Sequence, residues 1–597
     1  LYSQEPLIQH SPYGGKLAYE EVPGAVTGQL NPENNVDVSV GQDRSMYVYA
    51  PRSGCPHPKQ TQVLVVLRDN DSEESAEDML ETLGLAALSE EEHFIIVFPN
   101  PQECGWNYEM DQRRDDDSNF LVRCFAALPR SKSGVAGFNG MIYYIGTTPA
   151  SSAMVMALAS TSPLDAAAVM AGSLPEGYEV PAGTGAPVNA WIYGSDRNAV
   201  SFLESVDGPT SVDSLLSDAE IHRNGQNKNV CFVSDCRPLD SAVIRDAWNH
   251  LFAATRRWRN DTFGTYRRRI DFDAMGFVAH IDDHTLVDDG VGRDWFEYAP
   301  AGASQSGRPL PLVIYLHGIN CCGTYGAEQS EWSRIAERDG FVAAFPTASV
   351  DNRWNVWDDS RLPSDVSYIM ALIEHLEREY PIDSTRVYVS GFSMGSMFTN
   401  SLAAAYPDVF AGAIALNGPA MGIFDTLDED LPGLLKMQRR SMLSALKPSE
   451  PGRSPIQARI AAMRSGKAPQ MPFVQFVGLS DGVGFAPKQG FPVHEGDDGL
   501  WTKSISFWRD YNRAGSSELF DARSISGFGS DSLTKSGRCI DQAFYDDQGN
   551  DLYHFIAAER MPHAVDVQEI ELGWSIVKKY VRNQNGTLSK RTLNLDQ

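Results

Sequence analysis

The stretch Val387-Tyr388-Val389-Ser390-Gly391-Phe392-Ser393-Met394-Gly395-Ser396-Met397 decides the fold. An apolar run of strand character enters G-x-S-x-G, and Phe398 to Ala405 continues with helix-forming residues. The chain must turn sharply between the two. A side chain at Gly391 or Gly395 would collide with neighbouring backbone, so small residues bracket the serine. The turn lifts the Ser393 hydroxyl to the rim of a sheet and aims the following N–H groups at one point. This is a nucleophile elbow. Glycine and serine are common, so the motif gains its meaning from the strand before it and the helix after it.

Composition narrows what surrounds the elbow. With 597 residues the chain is too long for one core, and roughly two to four domains are expected. The hydrophobic fraction is 42%, and no apolar run reaches the roughly 20 residues of a membrane helix, so a soluble globular protein without a membrane partner is expected. A formal net charge of −28 counts against nucleic acid as a partner. The eight cysteines are too sparse for a disulfide scaffold, and no paired C-x-x-C points to zinc. His280-Ile281-Asp282-Asp283-His284 reads as a polar hairpin turn before it reads as a metal site. No phosphate loop or dinucleotide fingerprint occurs, and neither metal nor cofactor is expected. The sequence opens at Leu1 without a basic-then-apolar leader. The compartment is left open, cytoplasmic or secreted with a signal removed, and so is assembly into a homo-oligomer.

The chain repeats itself at domain scale. Met46 to Pro51 matches Trp295 to Pro300, Gln62 to Leu67 matches Leu312 to Leu316, and His93 to Pro99 matches Gly340 to Pro346. Each copy then carries a Trp-Asn pair, Trp106-Asn107 and Trp354-Asn355. Tyr143 to Ala150 lies where Tyr388 to Gly395 lies, Ala186 to Asp196 matches Met471 to Asp481, and Cys231 to Leu239 matches Phe555 to His563. The common order makes chance a poor explanation. Alternating short apolar strands and amphipathic helices then predict two tandem α/β-hydrolase domains, roughly 15–262 and 267–584, each a mostly parallel sheet with helices on both faces.

The repeat is informative where it breaks. The first copy has Thr148 at the serine position, Ala150 at the second glycine and Leu239 at the histidine position; only the acid, Asp196, remains. A threonine without a histidine has no base to take its proton. The first domain is therefore read as catalytically silent, with a supporting, binding or dimer-forming role. Spacing differs as well. Thr148 to Asp196 spans 48 residues and Ser393 to Asp481 spans 88, which places a cap-like insertion near 423–470. The interval from Asp481 to His563 is 82 residues against 43 in the first copy, and it includes an aromatic helix, Trp501 to Tyr511. Both excesses sit in the copy with the chemistry, as expected for substrate enclosure.

Ser393 needs a base and an acid. His563 is the choice among twelve histidines, because it follows a strand, Tyr553 to Ala558, and precedes a helical stretch from Val567. Asp481 ends a strand and completes the order Ser…Asp…His; Asp425 and Asp428 lack such a strand. The backbone N–H groups of Ile319 and Met394 are the expected oxyanion donors, since Leu316-His317-Gly318-Ile319-Asn320 ends the strand that supplies the second donor in this fold. His317 is expected to shape that loop. Tyr325, Trp354 and Trp357 are candidate pocket walls, with ordinary loop packing as the alternative.

Leu316-His317-Gly318, Trp332 with Ala336 and Gly340-Phe341, Trp354-Asn355, Gly391 to Gly395, Asp481 and Pro562-His563 together resemble the poly(3-hydroxybutyrate) depolymerase / feruloyl esterase family of α/β-hydrolases. The resemblance covers most of 285–584 and, in degraded form, most of the first copy. It implies hydrolysis of carboxylic esters: hydroxycinnamate esters on plant polysaccharide, acetyl groups, or polyesters. Two departures bear on substrate. Ile319-Asn320-Cys321-Cys322 replaces the Cys-x-Gln pattern common there, and Ala564-Val565-Asp566 replaces Ala-Trp-Pro-Gly after the histidine. The expected activity is a serine esterase acting on aromatic or polysaccharide-linked esters. Its rivals are a polyester depolymerase, an acyltransferase and a peptidase of the prolyl-oligopeptidase type, the last disfavoured because no β-propeller-like array precedes the hydrolase half.

Overall fold

The computed structural model describes residues 9–10, 13–24, 41–52, 62–70, 74–111, 114–134, 142–161, 167–171, 174–181, 189–193, 197–207, 211–216, 219–223, 229–233, 239–253, 255–256, 265–266, 270–303, 307–319, 321–350, 352–420, 423, 454–465, 469–479, 481, 485–488, 490–494, 497, 499–521, 539–559, 561, 563–565 and 567–591. The chain divides into two compact units, Leu1–Arg269 and Ile270–Gln597. Among the described residues no helix is long and apolar enough to cross a membrane.

The second unit is built on a ten-stranded sheet. Its centre holds parallel strands in the spatial order Val342–Pro346, Leu310–Leu316, Ile382–Phe392, Gly412–Leu416, Phe473–Gly478 and Asp551–Ala558. Antiparallel strands flank this centre on both edges, Val278–Asp283 and Arg293–Tyr298 on one side, Cys539–Tyr545 and Ser516–Asp521 on the other. This is an α/β-hydrolase sheet. The central strands are nearly continuous apolar runs because helices cover both of their faces. Between them the helix Asp365–Glu379 buries Val366, Ile369, Leu372, Ile373 and Leu376, one stripe at helical spacing, and Ser364 caps it by accepting the Ser367 N–H.

The first unit repeats the order. Strands Ile95–Pro99, Val63–Leu67, Ile142–Gly146, Ala167–Ala171, Asn189–Tyr193 and Asn229–Val233 run parallel through the centre of an eleven-stranded sheet. Antiparallel strands again flank both edges.

One expectation about the length excess is corrected by the elements. The aromatic helix, Leu500–Asn512, is not peculiar to the second unit: Arg197–Asp207 holds the same place in the first. The hairpin Ser516–Asp521/Cys539–Tyr545 likewise has its counterpart in Ser211–Leu216/Ala219–Arg223. The added residues instead fall between shared elements, at 479–499 and 522–538. The cap-like insertion near 423–470, with Asp425 and Asp428, lies largely outside the described residues. Its main described element is the helix Pro455–Ser465, which buries Ile456 and Ile460 and donates from Arg459 to the Ala405 carbonyl at 2.7 Å.

Candidate active site

The strand Ile382–Phe392 runs into Ser393, and the helix Met394–Ala405 starts immediately after it. Ser393 sits at φ 54°, ψ −115°, a conformation that L-residues avoid. The surroundings hold it there. Its N–H donates to the Leu416 carbonyl of the adjacent strand at 2.9 Å, and its carbonyl accepts from Met397 at 3.0 Å. A methyl group at Gly391 would overlap the Gly395 carbonyl, and one at Gly395 would overlap the Leu316 carbonyl. Every residue of the helix is buried, so the elbow rests on a helix packed on all faces.

Three side chains meet at this turn. Nε2 of His563 lies 2.9 Å from Ser393 Oγ, and Nδ1 of His563 lies 2.7 Å from Asp481 Oδ2. Asp481 follows the strand Phe473–Gly478, and His563 follows the strand Asp551–Ala558. The Asp481 side chain is fully buried and that of His563 is 17% exposed. An ionised carboxylate only accepts, so the imidazole proton facing Asp481 sits on Nδ1, and Nε2 offers its lone pair to the serine hydroxyl. Two aromatic rings flank the imidazole, Phe392 at 4.9 Å and Phe485 at 5.6 Å between centroids. The Phe485 carbonyl accepts from Trp501 Nε1 at 2.6 Å. Neither ring was singled out in the sequence, where a phenylalanine beside a motif looks like any core residue.

The loop after strand Leu310–Leu316 passes against the elbow. A Cβ at Gly318 would stand 3.5 Å from Ser393 Cβ. Ile319 follows directly, and Met394, as the first helical residue, has an N–H that the helix itself leaves unpartnered. His317 is fully buried and shapes this loop. Its Nε2 accepts from Ala348 N at 3.0 Å, and its Nδ1 donates to the Gly318 carbonyl at 2.6 Å. Trp354 lies under the same loop. It is 2% exposed, donates Nε1 to the His317 carbonyl at 2.8 Å and stacks on Phe398. Tyr325 is buried in the helix Gly323–Ser330, and Trp357 is half-buried with its carbonyl accepting from Ser454 at 2.5 Å.

The Trp-Asn pairs mark a side-chain knot that both units share. Trp106 Nε1 donates to the Arg68 carbonyl as Trp354 Nε1 does to that of His317. Asn107 N donates to Asp117 at 2.6 Å, and Asn355 N to Asp365 at 2.7 Å. Burial pushes the Asp365 carboxyl up, against the donors that pull it down. The elbows then diverge. In the first unit Thr148 Oγ1 donates to Asp69 Oδ2 at 2.6 Å. Strand register places Asp69 where the second unit has Gly318, since Leu67 pairs with Gly146 as Leu316 pairs with Gly391. A carboxylate thus stands beside the threonine hydroxyl. Leu239, half-buried, packs against the core of its unit. Asp196 lies outside the described residues.

Residues 294–443 match the family model described as Esterase PHB depolymerase. A bifunctional acetylxylan esterase/xylanase of Neocallimastix patriciarum is 32% identical over 130 residues, 22% of this chain and 18% of that protein. A poly(3-hydroxyalkanoate) depolymerase C of Paucimonas lemoignei is 34% identical over 131 residues, 21% of this chain and 30% of that protein. A feruloyl esterase B of Neurospora crassa is 34% identical over 121 residues, 19% of this chain and 40% of that protein. The chain thus spans well under half the length of these relatives.

Proposed function

We propose that the second unit is a serine esterase that hydrolyses carboxylic esters through an acyl-enzyme. The observation that carries this is the unbroken hydrogen-bonded line Ser393–His563–Asp481 at a strained strand-to-helix turn. His563 takes the Ser393 proton as Oγ attacks the ester carbonyl, and Asp481 holds the imidazole tautomer and stabilises the imidazolium. His563 then protonates the leaving alcohol, and water repeats the cycle on the acyl group. The backbone N–H groups of Met394 and Ile319 receive the oxyanion; one such donor is worth roughly 2.7–4 kcal/mol of barrier.

The substrate class is an aromatic acyl or acetyl ester linked to polysaccharide. The relatives named feruloyl and acetylxylan esterases support this class, as do the rings of Phe392 and Phe485 beside the reacting groups. The first unit is a silent copy. Asp69 in the Gly318 position supports that reading, because a carboxylate there would repel an oxyanion.

Ser393→Ala is expected to abolish turnover of p-nitrophenyl acetate and methyl ferulate while the circular dichroism spectrum and melting temperature hold. Residual turnover at the wild-type rate would overturn the assignment. Ranking acetylated xylan, feruloylated arabinoxylan and poly(3-hydroxybutyrate) by kcat/KM decides among the ester classes.

A further inference from the structure

Asn417 sits one residue past the strand Gly412–Leu416, the neighbour of the nucleophile strand. It is fully buried and adopts φ 52°. Its side chain touches neither Ser393 nor any substrate position described above. Its amide instead joins two loops. Oδ1 accepts from Gly478 N at 2.6 Å, at the end of the strand that leads to Asp481. Nδ2 donates to the Ala564 carbonyl at 2.6 Å, next to His563. The backbone is tied in as well: Asn417 N donates to Phe476 O at 3.0 Å, and the preceding Leu416 carbonyl accepts from Ser393 N at 2.9 Å. One buried residue therefore sits at the junction of the three loops that carry Ser393, Asp481 and His563.

The chemistry of the position is demanding. One partner is a donor and the other an acceptor, and the carboxamide meets both through separate atoms, which fixes its orientation. The reach matches asparagine. The backbone requires a left-handed conformation, which asparagine tolerates and most residues do not. The repeat supplies an independent observation. Gly391 pairs with Ala415 as Gly146 pairs with Met170, so the first-unit counterpart of Asn417 is Gly172. Glycine carries no carboxamide, and Gly172 itself lies outside the described residues. The amide is present in the copy with a histidine to hold and missing from the copy without one.

We infer that Asn417 is a positioning residue that holds the Asp481 and His563 loops in register with Ser393. The inference rests on the esterase reading of this site. Rigid loops alone do not fix the Ser–His–Asp line, because its members come from separate strand ends. A displacement of about 1 Å in such a line costs on the order of 100-fold in rate.

The test uses the full chain and two variants. Asn417→Gly keeps the backbone conformation and removes both bonds. Asn417→Asp keeps the acceptor for Gly478 N and loses the donor to Ala564. Both are expected to lower kcat on p-nitrophenyl acetate by about 10- to 100-fold with KM within about threefold, and to slow labelling of Ser393 by a fluorophosphonate by a similar factor. Circular dichroism and melting temperature check that each variant is folded. If Asn417→Gly fails to fold, Asn417→Asp, close to isosteric, decides. A folded variant with kcat and labelling rate within twofold of wild type overturns the inference. Loss of KM alone would also overturn it, since that marks uniform binding. Wild-type protein without Ser393-dependent hydrolysis would instead overturn the esterase reading, and the two failures are thus distinguishable.

Discussion

At the scale of the residue, Ser393 depends on its backbone as much as on its hydroxyl. The φ of 54° is held by the Ser393 backbone bonds to Leu416 and Met397, and Gly391 and Gly395 leave the space the tight turn needs. Gly395→Ala would drive a methyl group into the Leu316 carbonyl. It is expected to lower turnover at least 100-fold and to lower the melting temperature, measured by ester kinetics and thermal unfolding. Trp354 tests the loop beneath. Trp354→Phe keeps an aromatic ring on Phe398 but removes the N–H that holds the His317 carbonyl. The lost bond is expected to cost about 1 kcal/mol in denaturant unfolding and to reduce kcat more than it changes KM. Ser393, Asp481 and His563 could be singled out as candidates because each follows a strand in a fixed chain order, and the structure brings their side chains within hydrogen-bond distance. Asn417, Phe392 and Phe485 could not. Their importance lies in what they touch, and an Asn-Gly pair after an apolar run reads as a turn.

At the scale of the element, the central strands were legible and the edge strands were not. Leu310–Leu316 and Phe473–Gly478 are apolar runs because both faces are covered. Ser516–Asp521 is exposed along nearly its whole length, so its residues carry no apolar pattern and read as loop. The strand beside that hairpin carries a buried charge cluster. His554 Nδ1 lies 2.8 Å from Asp541, and Asp551, 3.7 Å from Nε2, also receives Tyr580 and Lys590. Burial alone would lower the His554 pKa, but Asp541 and Asp551 outweigh it and raise the group to about 9. Because the folded-state pKa lies above the ordinary 6.5, the protonated histidine stabilises the fold fully below that value. The contribution fades as pH rises through about 9. Wild type is therefore expected to lose melting temperature between neutral and alkaline pH, and His554→Gln to show a flatter profile across that interval. Equal slopes would remove the cluster from the account.

At the scale of the whole molecule, the repeat separates what the fold requires from what the chemistry requires. The Trp-Asn-Asp knot occurs in both units, so it belongs to the fold. The carboxamide clamp and the Ser–His–Asp line belong to the second unit. Replacing Thr148 and Asp69 together by alanine in the full chain is expected to leave kcat/KM on methyl ferulate within about twofold; a larger loss would give the first unit a part in turnover. The sequence by itself determined the α/β-hydrolase order and pointed to the repeat and to Ser393, Asp481 and His563 as candidates, because strand pattern, turn chemistry and chain order are local or linear properties. Only the tertiary structure decided which side chains hold those positions in place. Asn417 meets Gly478 and Ala564 across 61 and 147 residues of chain, and Asp69 meets Thr148 across 79. Such contacts arise from packing parallel strands side by side, and no local pattern records them.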